Sequence, residues 1–234
     1  MSNANFPTYV SFGSSNQYSH ALLNAYQAAF SGAVNLPPWI FAMHGMSGRK
    51  YRMFINKLVS DVPSARYLEI GSWLGSTLCS AIYNNTVVAC CVDNWSEFNP
   101  DGQIRTKFLS NLSLVRNSMA PVTVLEQDFN AVNYANIGKF NIYMFDGPHS
   151  RLDQYNGVKK VQDALDDEYI LIVDDWNRTE VREGTFDALS ELRSNVRLQV
   201  EIRTTLDGRD PPPENIYGDS DWHNGYFIAV VRKN

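Results

Sequence analysis

Residues 140–150 read FNIYMFDGPHS, and residues 169–177 read YILIVDDWN. In each, a run rich in Ile, Val, Tyr and Phe ends abruptly in aspartate: Asp146 in the first, Asp174 and Asp175 in the second. Apolar runs without polar alternation read as strands covered on both faces, the condition of a parallel sheet flanked by helices. A carboxylate just past such a strand has left the core, and in open α/β sheets the ligand crevice lies outside the carboxyl ends of the strands. The two stretches together predict an α/β sheet with an acidic crevice.

Working outward, RYLEI (66–70), VVACCVD (87–93) and VTVLEQ (122–127) supply three more strands. Helices are expected to start near Leu74, Asp101, Asn130, Arg151 and Thr179, which makes a series of βαβ units. The end differs: VRLQVEIRTTL (196–206) and GYFIAVVRK (225–233) leave no room for a crossover helix, so an antiparallel hairpin on the sheet's edge is expected. Its connection, DGRDPPPENIYGDSDWHN (207–224), has the length and proline content of a lid or an interface loop. Before residue 60 the pattern is helical, in SHALLNAYQAAF (19–30) and KYRMFINKLVSDV (50–62), with NLPPW (35–39) as a proline stop and a loose arm over 1–17. The layout is therefore an arm and helical cap over 1–59 and an α/β domain over 60–234.

At 234 residues, 44% hydrophobic and 19% charged, the chain suffices for one substantial core. A net charge of −5 offers no basic field for a phosphate backbone, so a small-molecule substrate is expected and nucleic acid is not. No stretch approaches the roughly 20 apolar residues of a membrane helix, and the polar N-terminus lacks the regions of a signal peptide, which predicts a cytoplasmic protein without a membrane partner. The cysteines, Cys79, Cys90 and Cys91, have no metal-ligand spacing and read as small core residues in a reducing compartment. A homo-oligomer is compatible with the sequence.

LEIGSWLGST (68–77) puts Gly71 and Gly75 between a strand and its helix, where a tight turn and close backbone approach to a ligand are needed. The GxxxG spacing is not the GxGxxG of dinucleotide-binding folds, which disfavours NAD. The second strand ends in Asp93, Asn94 and Trp95; an acid here commonly receives two ribose hydroxyls. The third ends in Asp128 and Phe129, a carboxylate for an exocyclic amine and a ring for a base. Each aspartate taken singly also reads as a solvated turn residue.

In their order and spacing, LEIGSWLGST, CVDNW and EQDF resemble the motifs of class I S-adenosylmethionine-dependent methyltransferases over roughly residues 60–232. The resemblance implies a Rossmann-like sheet of seven strands in the order 3-2-1-4-5-7-6 with helices on both faces. It implies S-adenosylmethionine as cofactor, held by Glu69, Gly71, Ser72, Gly75, Ser76, Thr77, Asp93, Asn94, Trp95, Asp128, Phe129 and Asp146. HGMSGRKYR (44–52) either folds over this cofactor, with Met46 and Ser47 near the methionine part and Arg49 or Lys50 facing a carboxylate, or is a helix start capped by Ser47.

Three carboxylates at neighbouring strand ends repel one another unless protonated or neutralised by a cation, and hard oxygen ligands suit Mg²⁺. The DxxH of Asp146 and His149 with the DD of Asp174 and Asp175 resembles the divalent-metal-dependent O-methyltransferases, closest to the macrolide sugar enzymes. That resemblance implies Mg²⁺ on Asp146, Asp174 and Asp175, His149 as base, and methyl transfer to a hydroxyl of a small polar acceptor such as a sugar, polyol or catechol. The chain shows no clear counterpart of the sugar enzymes' additional N-terminal domain. A metal-independent methyltransferase and a non-catalytic nucleotide-binding module are the alternatives. His44, His223, Arg209, Asp219, Asp221 and Trp222 are substrate-side candidates, while His20 reads as a surface residue.

Overall fold

The computed structural model describes residues 9–115, 117–210 and 221–234. The chain runs β1 (Tyr9–Phe12), α1 (Gln17–Ser31), α2 (Pro38–Ala42), α3 (Arg49–Asp61), β2 (Arg66–Ile70), α4 (Ser76–Ile82) and β3 (Val88–Val92). It continues through α5 (Ile104–Val115), β4 (Val122–Leu125), β5 (Phe140–Phe145), α6 (Arg151–Lys160), β6 (Leu165–Val173), α7 (Thr179–Glu191), β7 (Asn195–Ile202) and β8 (Tyr226–Arg232).

Sequence chemistry accounts for the helix limits. Asn16 caps α1 by accepting from the Ser19 amide at 2.8 Å, and Gly32, left-handed at φ 70°, ends it. The prolines of NLPPW do stop α1, but Pro38 also stands at the first position of α2, where its missing amide proton costs nothing. Ser150 caps α6, accepting from the Asp153 amide at 3.1 Å. Near Asn130 the expected helix is reduced to two single 3-10 turns, Phe129–Ala131 and Tyr134–Asn136. Asp128 caps the first, and Tyr134 is tied by its hydroxyl to the Phe129 carbonyl at 2.8 Å.

The sheet order is β1-β7-β8-β6-β5-β2-β3-β4. β2 to β6 pair with one another in parallel, whereas β8 is antiparallel to both β6 and β7, and β1 is antiparallel to β7. This corrects the expected count of seven strands to eight; with β1 set aside and the rest numbered from β2, the strands run 3-2-1-4-5-7-6 from the β4 edge, as expected. Residues 9–12, assigned to a loose arm, form an eighth strand against β7, because an extended YVSF segment satisfies the edge amides that β7 would otherwise expose. β7 and β8 consequently lie inside the sheet, not at its rim. Residues 1–8 lie outside the described residues.

Each face of the sheet carries its own cluster of buried side chains. The α1 and α3 residues Leu22, Phe54 and Leu58 pack with Tyr67, Ile142 and Met144 on one face. Phe145, Val173, Trp176 and Val181 lie on the other. Cys90 and Cys91 fall on opposite faces, all three cysteines being buried and free. A large apolar side chain fully buried in this way contributes roughly 1.5–3 kcal/mol, so tertiary packing holds the N-terminal helices on the sheet. No helix among the described residues is long and apolar enough to cross a membrane.

At the end of β2, Gly71 has φ 84°, and a Cβ there would lie 1.8 Å from the Asp146 carbonyl oxygen. Gly32 also has a positive φ, but nothing lies within 4 Å of its virtual Cβ. The expected outcome is that Gly32→Ala costs about 1–2 kcal/mol, the left-handed penalty alone, while Gly71→Ala costs several-fold more in urea unfolding. Equal costs would mean that the β2–β5 junction relaxes around a methyl group.

Candidate active site

The strand ladder runs on past the strand ends. Gly71 donates to Val92 O at 3.0 Å, Asp93 to Leu125 O at 3.1 Å, Asp146 to Ile70 O at 2.9 Å and Asp174 to Phe145 O at 3.1 Å. These bonds fix the first residue beyond each strand, and those residues line one cleft of about 390 Å³ along the carboxyl edge. Ligand sites commonly have volumes of roughly 300–1,000 Å³.

At one end of the cleft stand Gly71, Asp93, Asn94, Asp128 and Phe129, with Met46 also in the wall. Asp93 accepts from the Trp73 and Trp95 amides, each at 2.7 Å, which holds the carboxylate rigid and leaves it further acceptor capacity. Asp128 accepts from the Asn130 amide at 2.7 Å, and Phe129 packs edge-on against Phe145 at 5.4 Å.

The other residues expected at the cofactor lie behind the wall. Trp95 turns into the core at φ 49°, its ring 5.3 Å from that of Phe108 and its indole NH on Trp73 O. Glu69 is buried beside Tyr67, whose hydroxyl donates to it at 2.5 Å. Ser47 and Ser76 meet each other, Oγ to Oγ at 3.1 Å, and Gly75 packs against Phe108. Ser72 is buried and, like Thr77, is not part of the cleft lining. Ser47 is no helix cap either: Gly48 takes that position in α3. Arg49 stacks over Phe41 at 4.1 Å, and Lys50 pairs with Asp221 at 2.7 Å, so both are engaged away from the cleft.

Asp146, His149, Asp174 and Asp175 line the opposite end. One ligand atom each from Asp146, His149 and Asp175 lies within 4.8 Å of the others. Asp174 is not in that group; its carboxyl shares a hydrogen bond with Asp146 and accepts from the Asp175 amide at 2.7 Å. His149 Nε2 contacts the Asp175 carboxylate. Asp175 itself adopts φ 55° and takes a second hydrogen bond from Asn224 Nδ2.

Electrostatics follow from this crowding. Burial, then the Asp175 charge, push the Asp146 carboxyl up to about 8, while His149 opposes them. Burial and the neighbouring Asp146 and Asp175 hold Asp174 well above the usual carboxylate range. For Asp175 burial acts upward, but the hydrogen bond and charge of His149 outweigh it and bring the group down to about 2. For His149 burial acts downward, and the Asp175 hydrogen bond and charge outweigh it, leaving the imidazole raised. Without a cation, the site therefore favours the charged form of Asp175 and the protonated form of His149 beside it, and the neutral forms of Asp146 and Asp174.

Several functional residues have no motif in the sequence. Arg52 is buried and donates to the carbonyls of Ile40, Phe41, Met43, Gly45 and Ser47, binding together the loop that carries Met46 to the cleft. Its one visible signal is a charge in register with Ile55 and Val59 on the buried side of α3. Arg178 and Asp210 meet in the cleft through two hydrogen bonds, of 2.9 and 2.5 Å. Asn224 lies 49 positions from the aspartate it holds. Of the substrate-side candidates, His223 lines the cleft; His44 packs on Trp73 at 5.5 Å, and Trp222 is buried against Tyr26 at 5.7 Å. Arg209 donates through its amide to Asp207 and accepts from the Thr205 hydroxyl at its carbonyl, His20 is exposed and bonded to Ser15, and Asp219 lies outside the described residues.

No family profile and no curated protein sequence matches the chain. Solved structures do match. An SAH-bound methyltransferase from Podospora anserina superposes with a TM-score of 0.57 at 13% identity, over 96% of this chain and 99% of that one. The chain has the fold of S-adenosylmethionine-dependent methyltransferases. A structure described as a "putative O-methyltransferase" from Klebsiella pneumoniae matches with a TM-score of 0.51 at 12% identity, over 94% and 91% of the two chains. One described as a "putative RNA methyltransferase" from Pyrococcus horikoshii gives 0.52 at 12%, over 94% and 99%. Of two other matched chains, this one spans about half the length, 48% and 52%.

Burial pushes the Glu69 carboxyl from 4.5 up to about 7, although the Tyr67 hydrogen bond opposes it. Folding thus favours the protonated form, and stability is lost as pH rises from about 4.5 through 7. This amounts to roughly 3 kcal/mol at 1.36 kcal/mol per unit. In Glu69→Gln that loss is absent, so the stability of the variant relative to the parent should rise over this window. A constant difference across denaturant titrations at pH 5, 6 and 7.5 would show Glu69 to be charged throughout.

Proposed function

We propose that the chain is an S-adenosylmethionine-dependent O-methyltransferase acting on a hydroxyl of a small polar acceptor, with a sugar, polyol or catechol as the class to test. The observation that carries this reading is the two-ended cleft: an acid, an amine acceptor and an aromatic ring at the ends of β3 and β4, and a carboxylate–imidazole cluster at the ends of β5 and β6.

The residues present fit the cofactor. Asp93 has acceptor capacity for ribose hydroxyls, Asp128 for an exocyclic amine, and Phe129 with Ile70 and Val92 lends the cleft apolar surface for a base. When bound, S-adenosylmethionine supplies a methyl already activated by its positive sulfur. The chain's part is to orient the acceptor oxygen towards it and to receive the proton. His149, oriented by Asp175, which is in turn held by Asn224, is the group placed to receive that proton. This oriented pair also favours the second reading, a metal-independent methyltransferase. Mg²⁺, when bound, would be held by Asp146 and Asp175, whose ligand atoms converge, and by Asp174, whose carboxyl lies against that of Asp146.

A small acceptor is supported by charge. The mouth of the cleft carries Glu97, Asp153 and Asp210, and its Arg178 is already committed to Asp210. A phosphate backbone would meet like charge there. The likeness to a structure described as an RNA enzyme nonetheless means that the fold is no ground for excluding nucleic acid.

Calorimetric titration with S-adenosylmethionine should show one site per chain. Asp93→Asn, which keeps one side-chain oxygen and loses the charge, should weaken it about 10-fold, as expected for hydrogen bonds to a charged acceptor. Absence of binding by the parent protein would remove the methyltransferase reading; binding without methyl transfer to any sugar, polyol or catechol would leave a binding module or another acceptor class.

A further inference from the structure

The two rims of the sheet are built differently. β4 follows Pro121, precedes Glu126 and exposes only Thr123, so that rim is closed by a proline and a charge and largely covered. The other rim is β1, which among the described residues pairs with β7 alone. Its outer edge therefore offers free amides and carbonyls. Successive side chains of a strand point to opposite faces, and here Tyr9 is 51%, Val10 49% and Phe12 54% exposed, with Ser11 exposed between them. Neither face of β1 is covered. An apolar strand with a bare edge is a template for another strand, and residues 9–12 hold none of the charges, prolines or bulges that blunt such edges.

Charge decides the occupant. No Asp, Glu, Lys or Arg precedes Arg49, so all 20 basic and 25 acidic residues of the chain follow residue 48. α1, the next element, likewise has no charge at its exposed positions Gln17, Leu23 and Gln27, where a solvent-facing helix ordinarily carries some. A two-fold contact sets a patch against its own copy, and any charge in it would tend to meet its like; a patch without charge suits a second copy. An anionic membrane or a nucleic acid would call for cations, and a charged partner protein for the opposite sign. The bare edge requires an extended strand, which β1 of a second copy supplies. We propose that the chain forms a homodimer in which β1 pairs antiparallel with β1 of its partner about a two-fold axis, joining the two eight-stranded sheets into one. Four residues a side make a contact that is small beside the roughly 1,200 Å² of a stable interface, so a dissociation constant on the order of 10 µM is expected. Residues 9–12 do not line the cleft, and the inference is independent of the proposed function.

The test is sedimentation equilibrium of the full chain from about 1 to 300 µM, a range that brackets the expected constant. The parent should pass from monomer to dimer. Val10→Lys and Val10→Glu each bring like charges together at the two-fold contact and should weaken self-association about 10-fold or more, as like charges set against each other are destabilising. Mixing the two variants should restore dimers, now of one Lys and one Glu chain, which only a contact of β1 with its own copy explains. Leu152→Lys, at a side chain 65% exposed on α6, should dimerise as the parent does. If the Val10 variants fail to fold, the parent still decides, because amide hydrogen exchange over residues 9–12 is expected to slow as concentration rises through the transition. A parent monomeric at the highest concentration, parent-like association of Val10→Lys, no dimer in the mixture, dissociation by Leu152→Lys, or exchange over 9–12 that ignores concentration would each overturn the assignment.

Discussion

Where β2 gives way to its turn, the Gly71 backbone passes so close to the Asp146 carbonyl that no side chain fits between them, and the Asp146 amide bonds back to Ile70. That contact joins the two ends of the cleft. On the β3 side it sets the turn whose Trp73 amide holds Asp93; on the β5 side it fixes the start of the loop that carries Gly147, Pro148 and His149. Displacing it would move the acid expected at the cofactor and the cluster expected at the acceptor relative to each other.

The acceptor end is a problem in charge burial. Asp146, Asp174 and Asp175 are brought together by parallel strands in register, Asp174 and Asp175 buried and Asp146 partly so, and such a site does not tolerate three anions. The structure eases this by favouring the neutral forms of Asp146 and Asp174 and setting Asp175 against His149, with Asn224 as a neutral donor. Such a site is poised for either a proton or a cation, since both neutralise the same cluster.

Arg52 provides the corresponding support on the cofactor side. It sits among carbonyl oxygens without a carboxylate partner, and five carbonyls take up its donors, so the end of α2 and the loop that follows it to residue 47 are held by a buried cation. The α3 helix thus does two tasks: Phe54 and Leu58 anchor it to the sheet, and Arg52 holds the loop that ends at the cleft.

The apolar runs, their terminal aspartates and the glycine turn are local properties, so the sequence by itself determined the parallel strands, the side of the sheet that carries the cleft, and Asp93, Asp128, Asp146 and His149 as its residues. Each side chain at the first position past a strand follows from the strand's own end. The tertiary structure decided what depends on distant neighbours. It paired residues 9–12 with β7, turned Trp95 into the core through a left-handed residue, placed Ser47 against Ser76, and divided the adjacent pair Asp174 and Asp175 between different partners. It also brought Asn224 to Asp175 across 49 positions. Edge pairing, the aim of a side chain and the sharing of a proton are set by contacts between segments remote in sequence, and no local pattern encodes them.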